Sequence, residues 1–510
     1  TIGKSDDVII REFQLNLKER INGAIVYVDG LAKGDIVNEF ILSAFTFENL
    51  KTEADFDSPG KGGFLDYFMK RIVDVGEIKK IEDFEKAIFL VLSGETAIIL
   101  DGEKQILMAN TRGWEHRSIE EPQTESVIRG PRVGFGEIMR VNTAQIRRWI
   151  RDPDFRVKIV NVGKRSRTDV SLCYIEGLVN PQLLAEVKKR LNRINIDGLI
   201  DSSYIEEFIE DSSLSVFPTI QATERVDRVA SSILEGRVAI VTDNSPFVLL
   251  VPVTFSQLYH AAEDQYHRWP MGTLIRWIRY LSLFFSLYLP SIYIALSVHS
   301  PEMIPFELTI AMAGAREGIP FPVFIEAMLM EVAIEIIREA SARLPGPLGQ
   351  TVGIVGGFVL GDAAVRAGII SPITTVIVAL TAISSFTAPS YGVAVAIRIL
   401  RFPMMISAVI GGLYGVTLAT IVLIIHLCSL RSFGTPYMSP LAPLKIADIK
   451  DDLLRAPRWG LINRPEMYKP LDRRRMKTGL QKWWQAIMKS SPLANNKNKE
   501  NQGGEEDKER

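Results

Sequence analysis

Hydropathy divides this chain near residue 270. Residues 275–430 hold several apolar runs of about 20 residues, each long enough to cross a bilayer, whereas the first 270 residues mix charged and apolar groups as soluble proteins do. Any fold must therefore keep one half in water and the other in lipid. With 59 basic and 60 acidic side chains, bulk charge describes neither a nucleic-acid binder nor an acidic disordered protein. The N-terminus lacks the charged, apolar and small-residue pattern of a cleaved secretory signal, which predicts a cytoplasmic soluble part. The chain opens on Thr1 rather than methionine, so a short leader is expected ahead of it. The two cysteines, Cys173 and Cys428, fit neither a disulfide framework nor a zinc site and are expected to be small buried hydrophobes.

In the soluble half, periodicity alternates between helix and strand. "GAIVYVDGLA" (23–32) reads as a strand, "KGDIVNEFILSAF" (33–45) as an amphipathic helix, and "KIEDFEKAIFLVL" (80–92) as a helix running into "GETAIILDG". That last stretch (94–102) recurs as "GRVAIVTDN" (236–244), pairing Gly94 with Gly236 and Asp101 with Asp243. Each copy follows a helical pattern and precedes a second apolar strand, and its Asp-Gly or Asp-Asn pair suits the positive φ of a tight hairpin. The expected fold is an α/β cytoplasmic domain of two related subdomains, 1–150 and 151–270. An all-α polytopic membrane domain of four to five helices (271–432) follows. A cytoplasmic tail with a basic amphipathic segment (433–489) and a disordered end (490–510) complete the chain.

Between the two repeats, a Gly-, Pro- and charge-rich run leads into a helix expected to begin near Phe135 and to carry Arg140, Arg147 and Arg148. These arginines suit a phosphate site or an ion-pair network between subdomains. "VGKRS" (162–166) has Lys158 where a Walker loop needs its leading glycine, and "GFG" (134–136) lacks the third glycine of a dinucleotide fingerprint. The five histidines show no metal-ligand spacing. No catalytic, cofactor or metal residue is therefore assigned, and an enzyme is not expected.

In the apolar half, the first span is read over 274–298, with Arg276 and Arg279 at its entry marking the cytoplasmic side. The segment 321–345 differs in kind, because Glu326, Glu331, Glu335, Arg338, Glu339 and Arg343 interrupt its apolar face. Such charges cost about 2.5–3.5 kcal/mol each near a bilayer centre, so this helix lies in the interface or lines water. Further spans are read over 371–391 and 403–430. The segment between 349 and 372 repeats glycine at Gly349, Gly353, Gly357 and Gly361, a stripe that lets helices approach closely in lipid. It also carries Asp362 and Arg366, four apart and able to pair on one face. That pair is either neutralised between helices or faces a hydrated pathway. The basic, tryptophan-bearing "DRRRMKTGLQKWWQAIMK" (472–489) suits an anionic inner leaflet, which favours four spans over five.

These residues together resemble the A subunit of the GerA family of spore germinant receptors, over nearly the whole chain. The motifs are "VYVDGL" (26–31), the Glu121–Pro122 pair, "IRGPRVGFGE" (128–137), "NVGKRSRTDV" (161–170), "FPTIQATERVDRVASSILEGRVAI" (217–240), "EDQYHRW" (263–269), "REGIPFP" (316–322), "REASARLP" (338–345), "GDAAVRAGIISP" (361–372) and "SFGTPYMSPLAP" (432–443). Val226 stands where the family pattern has proline, and Gln265 is inserted before Tyr266. The resemblance implies a multi-pass protein of the spore inner membrane, beside a transporter-like B subunit and a lipoprotein C subunit. It further implies a ring of A subunits, five in number, that opens as a cation channel. Contacts between A subunits are then expected at Glu121, Arg129, Arg132, Glu137, Thr223, Glu224, Arg225 and Asp227. Glu326, Glu331, Glu335, the glycine stripe, Asp362 and Arg366 are the candidates for pore or helix packing. Two alternatives remain: a family paralogue that amplifies ion release without a nutrient ligand, and a non-conducting scaffold or transporter.

Overall fold

A computed structural model of the chain describes residues 2–16, 20–37, 78–113, 121–122, 124–344, 356–357, 359 and 361–476. The expectations for Gly349, Gly353, most of the 33–45 helix and the segment beyond Met476 fall outside these residues.

Two antiparallel five-stranded sheets form the N-terminal half. The first comprises β1 (Val8–Asn16), β2 (Arg20–Val28), β3 (Ile78–Ile81), β4 (Thr96–Leu100) and β5 (Ile106–Ala109), in the order β1-β2-β4-β5-β3. The second comprises β6 (Phe155–Val162), β7 (Thr168–Ile175), β8 (Gln221–Thr223), β9 (Val238–Thr242) and β10 (Val248–Val251), in the equivalent order β6-β7-β9-β10-β8. The repeated sequences therefore occupy topologically equivalent strands, β4 and β9. The turn residue after each has positive φ, +85° at Gly102 and +66° at Asn244, as hairpin geometry requires. The helix read over 80–92 is shorter: Ile78–Ile81 pairs with β5 as an edge strand, and α1 (Phe84–Val91) begins only after Asp83, whose carboxylate caps the Glu85 amide.

The second sheet is buried on both faces. One packs on α2 (Met139–Trp149) and, through Val226, Val229 and Ile233, on a helix that follows β8. The other packs on α3 (Pro181–Leu191) and α4 (Ser202–Ile209). This double burial explains why β9 and β10 read as unbroken apolar runs. The helix after β8 is α5 (Val226–Leu234).

Helix α2 starts four residues later than the sequence suggests. Gly134 bridges to Arg225, the Phe135 amide donates to the Glu224 carbonyl, and the Asn142 side chain holds both the amide and the carbonyl of Gly136. Backbone groups that would have opened the helix are spent on these contacts. Arg147 of α2 forks onto Asp7, 2.8 Å from Nη2 to Oδ1, and Arg140 pairs with Asp29. Both join α2 to the first-sheet subdomain, so of the two readings of these arginines the ion-pair network is the one observed.

The C-terminal half is helical: α6 (Trp269–His299), α7 (Phe306–Ala315), α8 (Val323–Arg343), α9 (Pro372–Ser385), α10 (Tyr391–Ser429) and α11 (Ile446–Asp452). Helices α6 and α10 are each long and apolar enough to cross a membrane, and they pack along one another. The span read over 371–391 is the 14-residue α9, roughly 21 Å long, shorter than a bilayer core of about 30 Å. The span read from 403 instead begins at Tyr391, runs through Pro403, and breaks at Gly412, where φ is +56° and ψ −141°. Cys173 is buried in β7, but Cys428 is exposed on α10, because an outward-facing helix position has no core beside it.

The segment expected to be a tail is a packed element up to Met476. Ser432 hydrogen-bonds the Thr219 carbonyl, the Leu471 amide donates to Leu178, and Arg475 reaches Glu235 at 2.9 Å. Residues 431–476 thus return from the end of α10 onto the N-terminal domain.

Candidate functional site

Three clusters of buried charge organise the molecule. The first lies within the helical half and accounts for the charges of α8. Glu326 and Glu331 are fully buried, and Glu335 is partly so. Glu331 and Glu335, four residues apart, share one face of α8, whereas Glu326, five residues before Glu331, is turned about 140° from it and meets a different neighbour. Glu326 accepts the Ser371 amide at 2.8 Å at the start of α9, with the Arg316 guanidinium 3.0 Å away. Glu331 pairs with Arg401 of α10, whose Nε also donates to the Ser286 carbonyl of α6 at 2.8 Å. Glu335 takes Arg398 at 3.1 Å and Arg338 at 3.4 Å. Each carboxylate thus has a guanidinium partner, which offsets the desolvation cost that made α8 look unfit for a lipid-facing span. The arginines of α10 signal nothing in sequence, since they lie 63 or more residues from the acids they neutralise.

Asp362 and Arg366 pair with each other at 2.8 Å, as their spacing predicts, but they face outward, with side chains 42% and 78% exposed. On the same segment, a Cβ added at Gly357 would meet nothing within 4 Å, and one at Gly361 only the Thr375 methyl at 3.8 Å.

The second cluster surrounds the start of α5. Arg225 is buried and forks onto Asp227 at 3.1 and 3.0 Å while donating to the carbonyls of Glu125 and Pro131. Thr223 bonds the Glu125 carboxylate, which also takes Arg228 at 2.7 Å. Glu224 is buried, and its carboxylate accepts the Thr124 amide at 3.4 Å. The sequence-predicted residues Thr223, Glu224, Arg225 and Asp227 are therefore brought together inside the chain, where they fasten residues 124–136 to the second sheet. Glu121 and Arg132 form an exposed pair at 3.6 Å, and Arg129 and Glu137 are exposed.

The third cluster joins the N-terminal domain to α6. Asp264 is 1% exposed and accepts both terminal nitrogens of Arg279, at 2.9 and 3.0 Å, with Arg276 Nε 3.5 Å away. Arg276 also donates to the carbonyls of Asp451 and Asp452, and Arg455 to that of Asp264. Tyr266 hydrogen-bonds Asp227, and Glu263 accepts the Ile128 amide at 2.7 Å, so this junction is continuous with the second cluster. The two arginines read in sequence as marking the cytoplasmic side are buried anchors of this junction. Only the acid at 264, within a segment already singled out by its motif, hinted at this.

Among the described residues no group of His, Cys, Asp and Glu has the arrangement of a metal site. The family described as "Bacillus/Clostridium GerA spore germination protein" matches residues 1–467. A relative named "Uncharacterized membrane protein YfkQ", from Bacillus subtilis (strain 168), is 44% identical over 464 residues, 91% of this chain and 88% of that protein. "Spore germination protein KA" of the same organism is 41% identical over 465 residues, 91% of this chain and 84% of that one. The crystal structure of the N-terminal domain of the A subunit of the Bacillus megaterium spore germinant receptor GerK3 aligns at 31% identity and a TM-score of 0.39, covering 50% of this chain and 91% of that one. The apolar helices α6 and α10, with a relative named a membrane protein, mark the chain as membrane-associated. A match that runs from the first sheet to the packed C-terminal segment, with relatives of this identity over nine-tenths of the sequence, shows that the chain belongs to the GerA family, as a spore germinant receptor A subunit.

Proposed function

We propose that this chain is a channel-forming subunit: copies gather as a ring, of five, in the spore inner membrane and open a cation pathway when a transporter-like B subunit, beside a lipoprotein C subunit, senses a nutrient. The observation that carries this reading is the Asp362–Arg366 pair. It is exposed on a single copy, as is Glu339–Arg343 on α8, whereas Glu326, Glu331 and Glu335 are matched inside the helical half. An ionisable pair left on the outside of an apolar bundle must face water or another copy. The open flank at Gly357 leaves room for a neighbouring helix. Glu326, Glu331 and Glu335 then serve helix packing rather than the pathway.

Residues 431–476 return to the N-terminal domain, which supports an even number of crossings, four, with both ends cytoplasmic. Glu121, Arg129, Arg132 and Glu137 remain the candidates for contacts between copies. Thr223, Glu224, Arg225 and Asp227 act behind them, holding the segment that presents them.

The test is ion flux through purified protein in liposomes, with oligomer mass determined on the same sample. Flux from a closed ring, altered by Asp362→Asn with assembly intact, is expected. If Asp362→Asn and Arg366→Gln each lower protein level, and a charge swap restores it without any flux at any stage, the pair is structural and the channel reading fails.

A further inference from the structure

Residues 438–454 carry the chain from the end of α10 to the start of α6, the two helices long and apolar enough to cross a membrane. At one end the Tyr437 amide donates to the carbonyl of Leu430, the residue after α10. At the other, Arg276 donates to the carbonyls of Asp451 and Asp452 at 2.7 Å, and the Arg455 amide donates to the Thr273 hydroxyl at 3.2 Å. Both helix ends are also the ones held to the N-terminal domain, α6 through Asp264 and α10 through Ser432 and Thr219. The segment therefore runs along the boundary between the apolar half and the soluble half.

Its side chains are sorted by polarity. On α11, Ala447, Asp448, Asp451 and Asp452 share one side, as positions i, i+1, i+4 and i+5 of a helix do. That side lines a cavity of about 400 Å³ shared with the N-terminal domain. The opposite side carries Ile446, Ile449, Lys450 and Leu453, with Leu454 after it. Ile446 is 71% exposed, and Leu441, Leu444 and Leu454 are exposed with it. All three acids of residues 441–460 line the cavity, whereas the exposed charges of the same stretch are Lys450 and Arg458. An apolar outer face edged with positive charge is the pattern of a helix that lies on a membrane rather than in water.

Trp277 places this face at the membrane boundary. Its indole is 60% exposed on α6, and its Nε1 donates to the Leu453 carbonyl at 3.3 Å. A tryptophan with its ring on an apolar surface and its N–H on a polar group suits the level where membrane meets water. From there Leu274, Ile278 and Leu281, all exposed, continue along one flank of α6. The outer face of residues 441–454 is thus continuous with the flank that α6 turns outward, at the depth where that flank begins.

We propose that residues 441–454 form an in-plane membrane anchor. Leu444, Ile446 and Leu454 enter the lipid of the leaflet nearer the N-terminal domain, about 5–10 Å into the boundary between headgroups and acyl chains. Lys450 and Arg458 face anionic headgroups. The anchor ties the ends of α6 and α10 to one leaflet and so sets the height of the N-terminal domain over the bilayer. It is a different segment from the basic stretch read over 472–489, and it rests on membrane association rather than on the channel reading.

The test uses the full chain in nanodiscs, with Cys428→Ala so that buried Cys173 is the remaining native thiol. Leu444→Cys, Ile446→Cys and Leu454→Cys each carry a nitroxide, and Phe84→Cys, exposed on α1, is the reference for water. Nitroxide lipids labelled along their chains calibrate depth. Collision with oxygen, which concentrates in lipid, is compared with collision with a nickel chelate, which stays in water. The oxygen-to-nickel ratio at the three positions is expected to exceed that at Phe84→Cys at least threefold. Anionic lipid should raise it further at Ile446→Cys, and adding Lys450→Glu with Arg458→Glu should remove that increment. A labelled chain that melts below the unaltered one is replaced by Leu441→Cys. Ratios equal to that at Phe84→Cys overturn the anchor, because the segment then lies in water. Labels shielded from both collision partners, and freed on dilution with unlabelled chain, overturn it too, because a second copy is then the occupant.

Discussion

At the scale of single residues, the decisive contact is Glu331 with Arg401. Both side chains are essentially inaccessible, at 0% and 1% exposed, and they come from different helices. Removing one partner leaves a bare charge in a medium that cannot solvate it, which costs about 3–5 kcal/mol, whereas replacing both with apolar groups of similar size is often neutral. Glu331→Gln is therefore expected to lower the unfolding temperature of the purified protein strongly. The double change Glu331→Leu with Arg401→Met should recover most of the loss. A double variant no better than the single one would mean that the pair does more than balance charge. The acid was legible in the sequence as an anomaly. Its partner was not, because nothing in a run such as "AIRILRF" tells which distant helix an arginine will face.

Among the elements, α10 shows most clearly how local chemistry and packing divide the work. Its 39 residues span roughly 58 Å if straight, well beyond a bilayer core of about 30 Å, and the helix carries one break. It falls at Gly412, whose φ of +56° and ψ of −141° suit glycine alone. There the His299 ring bonds the Val409 carbonyl at 2.7 Å, and a Cβ at position 412 would lie 2.9 Å from the His299 Cβ. Gly412→Ala should cost about 1–3 kcal/mol and displace the end of α6 from α10. The unfolding temperature of the purified variant reads this cost, and an unchanged value would show that the break at position 412 tolerates a side chain against His299. A glycine pair at 411–412 is visible in sequence, but glycine in a lipid-facing run reads as a packing surface. Only the partner His299 identifies the second of the two as the break.

For the molecule as a whole, the junction at Asp264 matters most. One carboxylate is shared by Arg279 and Arg276, while Arg455 holds its carbonyl, so the N-terminal domain, the first long apolar helix and the returning C-terminal segment meet at a single residue. Asp264→Asn leaves two buried guanidiniums facing each other, and the whole chain is expected to unfold at a lower temperature. Arg279→Lys, which keeps the charge but loses the two-pronged contact, should fall between it and the unaltered protein. In the same two variants, limited proteolysis near residues 261–268 should accelerate. If cleavage and melting do not move together, the junction is not the point at which the halves are joined.

What the sequence determined by itself was everything set by neighbours along the chain. This covers the change from mixed to apolar composition near residue 270, the two related strand-and-hairpin units, the positive-φ turns and the pairing of Asp362 with Arg366 four residues on. These follow from periodicity, turn chemistry and helical spacing, all of short range. Tertiary structure decided the start of α2, the fate of the charges on α8, the outward face of Asp362 and the folding back of residues 431–476. Each depends on which remote group satisfies a buried polar atom. In a medium where water cannot answer that need, the choice of partner belongs to the fold.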